Sequence, residues 1–139
     1  MIIKTMPNTI VIPTFGNNDF DLDDEPPVED RKHEFYDRIF KMWFLDHPKN
    51  SLYFNLSKTN YTFRKGGYYR VDISPKLSIL ALNTVMYLFK NKGMEFQGTQ
   101  LSDQLDWIET NLWHSEPERK FILTCHVYFG VKYEGTLKP

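Results

Sequence analysis

Thiol chemistry is nearly absent from this sequence: one cysteine, Cys125, stands among 139 residues. That excludes an internal disulfide and a thiolate zinc cage, and it leaves the redox compartment open. An excess of one charge is also lacking, with seventeen Lys and Arg against eighteen Asp and Glu. Nucleic-acid binders usually show a basic excess, so no nucleic-acid partner is expected. No apolar run approaches the ~18 residues of a membrane helix, and residues 1–8 lack the apolar stretch of a signal peptide. No membrane segment is therefore expected in this chain. Repeats and low-complexity tracts are absent as well. What is abundant is aromatic: eleven Phe, eight Tyr and three Trp, 16% of the chain. One domain can bury such a load, and it suits a core or interface built for a larger object.

Residues 9–13 (Thr-Ile-Val-Ile-Pro) form a short β-branched run stopped by a proline, which predicts a strand. A loop, 15–19, and an acidic, proline-containing excursion over 19–30 follow. Apolar residues Phe35, Ile39, Met42 and Trp43 recur at helical spacing, predicting a helix over 31–46 that Pro48 ends. Residues 51–63 are polar and aromatic without a clear period. After the flexible Gly66-Gly67 pair, Tyr69, Val71 and Ile73 alternate with polar neighbours. The turn 74–76 leads into the apolar run 77–83, so the two segments read as a hairpin whose second strand is buried on both faces. Residues 83–98 read as a long loop. Leu101, Leu105, Ile108 and Leu112 mark one face of a helix capped by Thr99 or Ser102 and closed by 116–118. Residues 120–124 read as a second buried strand, with Cys125 and His126 at its carboxyl end. Strands separated by helices predict an α/β sandwich.

Two polar clusters then follow predicted strands: Asn17-Asn18-Asp19 and His126. In open α/β sheets ligands gather beyond the carboxyl ends of strands. An amide oxygen and an imidazole placed there could both touch one divalent metal. Equally, Asn17 and Asn18 could supply turn conformations after Gly16, with His126 a hydrogen-bonded strand-end residue.

Residues 6–20, with Gly16-Asn17-Asn18-Asp19 at their end, resemble the Gly-Asn-His-Asp block of calcineurin-like metallophosphoesterases, in the branch of acid sphingomyelinase-like phosphodiesterases and endopolyphosphatases. The segments 66–69, 76–84, 104–109 and 123–127 resemble that branch in the same order, with Cys125 where glycine is usual. The resemblance implies a partial αββα sandwich of mixed sheets with flanking helices. It implies that residues 1–139 are the central part of a single phosphoesterase domain, lacking its N- and C-terminal metal-binding blocks. Asn17 and His126 would then be ligands of one ion of a divalent pair (Zn, Mn or Fe). Asn18 would stand where most members carry the histidine that assists the leaving group, as in endopolyphosphatases.

That difference has a chemical reading. Histidine can protonate an alkoxide, whereas an asparagine amide only donates a hydrogen bond. A phosphoanhydride expels a stabilised phosphate that needs little protonation, so Asn18 tilts the expected substrate toward polyphosphate. The alternatives are a sphingomyelinase-like phosphodiesterase acting on a phosphorylated small molecule or lipid, and a non-catalytic truncated remnant. The relatives implied are often vacuolar, lysosomal or secreted.

Other candidates are weaker. His33, His47 and His114 have no neighbour at ligand spacing and read as surface or packing residues. The acidic run Asp19, Asp21, Asp23, Asp24 and Glu25 lacks the glycine and terminal glutamate of an EF-hand, and Asp19 is expected to brace the Asn17–Asn18 turn. Cys125 and His126, as strand neighbours, point to opposite faces and cannot act as a nucleophilic pair. Tyr68, Tyr69 and Trp43 read as core rather than as a substrate groove.

Overall fold

A computed structural model describes residue 5 and residues 9–20, 27, 29–47, 54–87 and 100–128. Its order is α1 (Glu29–Phe40), a π turn (Lys41–Leu45), α2 (Leu56–Gly66), β1 (Tyr69–Ser74), β2 (Leu77–Ala81), a 3-10 turn (Thr84–Tyr87), α3 (Gln100–Trp113) and β3 (Lys120–Thr124). The class is mixed α/β, as expected, and it is compatible with a partial phosphoesterase-type fold. Among the described residues there is one sheet, ordered β1-β2-β3. β1 and β2 are antiparallel, with Val71 opposite Ile79, and β2 and β3 are parallel, with Ala81 opposite Thr124.

α1 buries Phe35, Tyr36, Ile39 and Phe40 on one face. The helix predicted to continue through Asp46 instead widens after Phe40. The Asp46 N–H donates to the Lys41 carbonyl at 2.9 Å, five residues back, and the widened turn carries Phe44 into the core. Pro48 and Thr99 lie outside the described residues. The stretch without an apparent period contains α2, whose inward stripe is Thr59, Thr62, Phe63 and Gly66. The spacing is helical but mostly not apolar, so a hydrophobic pattern does not reveal it. Asn55 caps this helix by accepting from the Lys58 N–H at 3.1 Å. Gly67 ends it in the left-handed conformation, φ +77°, its N–H donating to the Phe63 carbonyl. The glycine pair is thus a fixed cap rather than a flexible joint.

Four further expectations are corrected. Residues 9–13 form no strand; Pro13 offers no N–H to a ladder, and its carbonyl is taken by the Tyr69 hydroxyl at 2.6 Å. In the predicted long loop, residues 84–87 wind into a 3-10 turn with Thr84, Val85 and Met86 buried. α3 ends at Trp113, before residues 116–118, and Ser102 lies within it. Of the predicted face Ile108 is half-buried, while Leu105 and Leu112 are exposed; the helix turns Gln104, Trp107 and Asn111 inward beside it, because Gln104 and Asn111 find hydrogen-bond partners there. Finally, β3 is not buried. As the edge neighbour of β2 it leaves Ile122 and Leu123, on opposite faces, 50% and 43% exposed. In β2, Ser78, Leu80 and Ala81 are buried while Leu77 and Ile79 are only partly covered.

The core is a nest of aromatic rings centred on Phe63. Its ring centroid lies 5.3–6.0 Å from those of Phe15, Tyr36, Phe40, Trp43, Phe44 and Tyr69. Tyr68 packs separately against Trp107, tilted by 51° with centroids 5.0 Å apart. These tyrosines and Trp43 therefore serve packing. Burial pushes the Tyr69 hydroxyl well above its ordinary pKa, so it remains a donor to Pro13.

Candidate functional site

Because β2 and β3 are parallel and β1 runs back between α2 and β2, one end of the sheet collects several chain segments. Residues 66–68 enter β1 there, residues 82–84 leave β2, and residues 125–127 leave β3. The loop after residue 13 joins them through Phe15. That ring is fully buried and packs on the backbone of Gly67, so close that a Cβ at residue 67 would lie 2.5 Å from it. Only a glycine, free of a Cβ and tolerant of positive φ, fits both demands.

With Phe15 anchored, Gly16-Asn17-Asn18-Asp19 forms a tight turn at the surface. Asp19 closes it twice: its N–H donates to the Gly16 carbonyl at 3.2 Å, and its Oδ2 accepts from the Gly16 N–H at 2.6 Å. Asn17 Nδ2 donates to Asn18 Oδ1 at 2.9 Å. His126 Nε2 then donates to Asn17 Oδ1 at 2.9 Å, across 109 residues of sequence. Since an amide oxygen only accepts, the ring proton sits on Nε2 in this arrangement. The imidazole packs against Gly16, with Cε1 and Nδ1 3.4 Å from where a Cβ would stand.

The His126 loop is held at both ends. The Leu82 N–H donates to the Thr124 carbonyl at 2.9 Å, and the Val127 N–H donates to Thr84 Oγ1 at 3.0 Å. Sequence reasoning paired Asn17 with His126 but assigned no role to Thr84 or Gly67. Both lie in segments quoted for the resemblance, yet neither side chain has chemistry that marks a site. Cys125 is half-buried, His33 and His114 are exposed, and His47 is buried as a packing residue. Asp21, Asp23, Asp24 and Glu25 lie outside the described residues.

A divalent ion tests this donor set. Asn17 Oδ1 and His126 Nε2 are ordinary ligands converging on one point. Both are neutral, the nearby Asp19 carboxylate is spent on the turn, and no cluster of three or more His, Cys, Asp or Glu side chains is found among the described residues. The pair fits two corners of a metal site and does not make a whole one. To ligate, His126 would have to move its proton from Nε2 to Nδ1, exchanging the bond to Asn17 for one to the metal.

No protein-family model matches the chain. Over 134 residues it is 33% identical to the human cyclic GMP-AMP phosphodiesterase SMPDL3A, covering 93% of this chain and 27% of that protein. The bovine protein of the same name is 30% identical over 133 residues, with the same shares. The sphingomyelinase phosphodiesterase D of Dictyostelium discoideum is 30% identical over 106 residues, 76% of this chain and 22% of that one. These proteins are homologues of the chain at 30–33% identity, consistent with the acid sphingomyelinase-like phosphodiesterase branch. The chain spans about a quarter of the length of the curated relatives it matches. Among the described residues, no helix is long and apolar enough to cross a membrane.

Proposed function

We propose that this chain carries one half of the metal site of a phosphodiester hydrolase. Asn17 and His126 are ligands of one divalent ion (Zn, Mn or Fe), and the carboxylates and second ion are completed by polypeptide beyond residues 1–139. One observation carries this reading: residues 109 apart in sequence bring an amide oxygen and an imidazole nitrogen to 2.9 Å. The names of the relatives support phosphodiesters as the substrate class. A bound ion pair would polarise the phosphoryl group and lower the pKa of water. Within this chain, Asp19 and Phe15 hold Asn17 in place and the Thr84 bond holds the loop of His126. Asn18, exposed beside the pair, offers an amide N–H to a departing oxygen.

The identity of Asn18 favours a second reading within the same chemistry, phosphoanhydride cleavage. A hydrogen bond is enough for a phosphate leaving group and less adequate for an alkoxide. The test begins with the transcript read outward from both ends of this frame. The complete protein it encodes is assayed on bis(p-nitrophenyl) phosphate and on polyphosphate, beside Asn17→Ala and His126→Ala. Each variant is expected to lose at least about a hundredfold in rate, in line with the loss of a catalytic metal's ligand support. Asn18→His is expected to raise diester cleavage relative to polyphosphate cleavage. In-frame stops on both sides would overturn the enzyme reading in favour of a non-catalytic remnant, and full activity in Asn17→Ala would overturn the assignment of Asn17 as a metal ligand.

A further inference from the structure

Asn83 is fully buried at the end of β2, and it touches both halves of the site at one remove. Its Nδ2 donates to the Gly66 carbonyl at 2.9 Å. Gly66 precedes Gly67, the residue on which Phe15 rests, and Phe15 leads directly into Gly16-Asn17. On the other side, the residue after Asn83 is Thr84, whose Oγ1 accepts from the N–H next to His126. Gln104, also fully buried, grips the main chain of Asn83 from α3. Its Oε1 accepts from the Asn83 N–H at 2.9 Å, and its Nε2 donates to the Asn83 carbonyl at 3.2 Å and to the Tyr87 hydroxyl at 2.8 Å. The contacts close a circuit: Asn17, Phe15, Gly67, Gly66, Asn83, Thr84, Val127, His126, and back to Asn17.

We propose that Asn83, clamped by Gln104, is the positioning residue that sets the separation of Asn17 and His126. Two features favour this over ordinary core filling. First, a buried side chain kept only for packing has no need of a polar head, and Asn83 keeps its Oδ1 buried without a partner among the described residues. Second, Gln104 faces inward on a helix whose Leu105 and Leu112 stay exposed, and its amide oxygen and nitrogen are both turned to this one loop and its neighbour Tyr87. The circuit concerns the geometry of the pair, so it rests on the reading above only for what the pair is used for.

The test therefore reads the geometry and needs no metal. In the 139-residue chain, labelled with nitrogen-15, two signals report the pair: the nuclear Overhauser cross-peak between the His126 Cε1 proton and the Gly16 Cα protons, and solvent exchange of the His126 ring N–H. Thr84→Val is nearly isosteric and lacks the acceptor, whereas Thr84→Ser keeps it. Thr84→Val is expected to weaken the cross-peak severalfold and speed exchange at least tenfold, with Thr84→Ser close to the parent. Val71→Ala, a sheet variant outside the circuit, serves as the control for destabilisation alone and is expected to keep both signals. Gln104→Met removes the separate bonds that clamp the Asn83 main chain and is expected to lose the same two signals; parent-like signals in Gln104→Met would overturn the role given to Asn83. Parent-like signals in the variant lacking the bond, or equal losses in Val71→Ala, would overturn the proposal. Failure of the metal reading in the activity assays would leave these signals unchanged.

Discussion

Replacing Gly67 with alanine probes the joint between the aromatic core and the Asn17 turn. Two costs arise at this one position. An L-residue at φ +77° sits in the left-handed region, at about 1–2 kcal/mol. The new Cβ would meet Phe15 Cε2 at 2.5 Å, Cδ2 at 2.7 Å and Tyr36 Cε1 at 3.1 Å, so the Phe15 ring must shift against the rings that surround it. Overpacking of that kind costs about 1–3 kcal/mol. Together the loss is about 2–5 kcal/mol, a large share of the 5–15 kcal/mol typical of a domain. Gly66→Ala is the matched control. Its φ is not positive, its Cβ meets the Tyr68 ring edge at 3.1 Å and the end of the Met86 side chain at 3.5 Å, and alanine is the better helix former. That variant is expected within about 1 kcal/mol of the parent. Urea unfolding followed by tryptophan fluorescence suits the comparison, because Trp43 lies 4.7 Å from Phe15, centroid to centroid. A Gly67→Ala loss no greater than that of Gly66→Ala would refute the claim that this backbone position fixes Phe15.

Asn55→Ala removes the side chain that accepts from Lys58 N–H and is expected to cost about 1 kcal/mol, read from the same urea curves. For Asp72, burial raises the pKa, but hydrogen bonds from Ser78 and Arg70 and the charges of Arg70 and Arg119 outweigh it and hold the carboxyl below its ordinary value. Its stabilising contribution is therefore fully present above about pH 4 and is lost as the pH falls through the lowered value. Thermal unfolding midpoints should drop below pH 4 in the parent and drop less in Asp72→Asn; equal slopes would remove the assignment.

How much of this could be read beforehand follows from what each residue does. The β1–β2 hairpin was legible because Tyr69 and Val71 alternate with polar neighbours and a proline turn follows. The coming together of Asn17 and His126 was legible in the resemblance, which pairs them; the strand expected before Asn17 is absent, and only His126 follows a strand of the sheet. α2 was not, since Thr59, Thr62 and Gly66 face inward without being apolar. The face of α3 was misjudged for the converse reason: Gln104 and Asn111 turn inward because their amides find partners, which no hydropathy pattern encodes. The strand expected over residues 9–13 had suitable propensity, but Pro13 gives its carbonyl to a side chain rather than to a neighbouring strand. Tyr68 and Tyr69, read as core residues, are buried, and Trp43 packs half-buried against the same rings.

The parallel pairing of β2 with β3 sets an order of assembly. The hairpin closes through residues 75–76, whereas β3 can dock only after residues 82–119 have looped back. The longer closure costs roughly 2–3 kcal/mol more in chain entropy, so the local contacts form first and reward it. His126 is delivered by the strand that arrives last, to a turn whose anchor on Gly67 belongs to the earlier half. During synthesis the amide of Asn17 consequently waits in water while more than a hundred residues emerge, and the site is the final thing this stretch of chain makes.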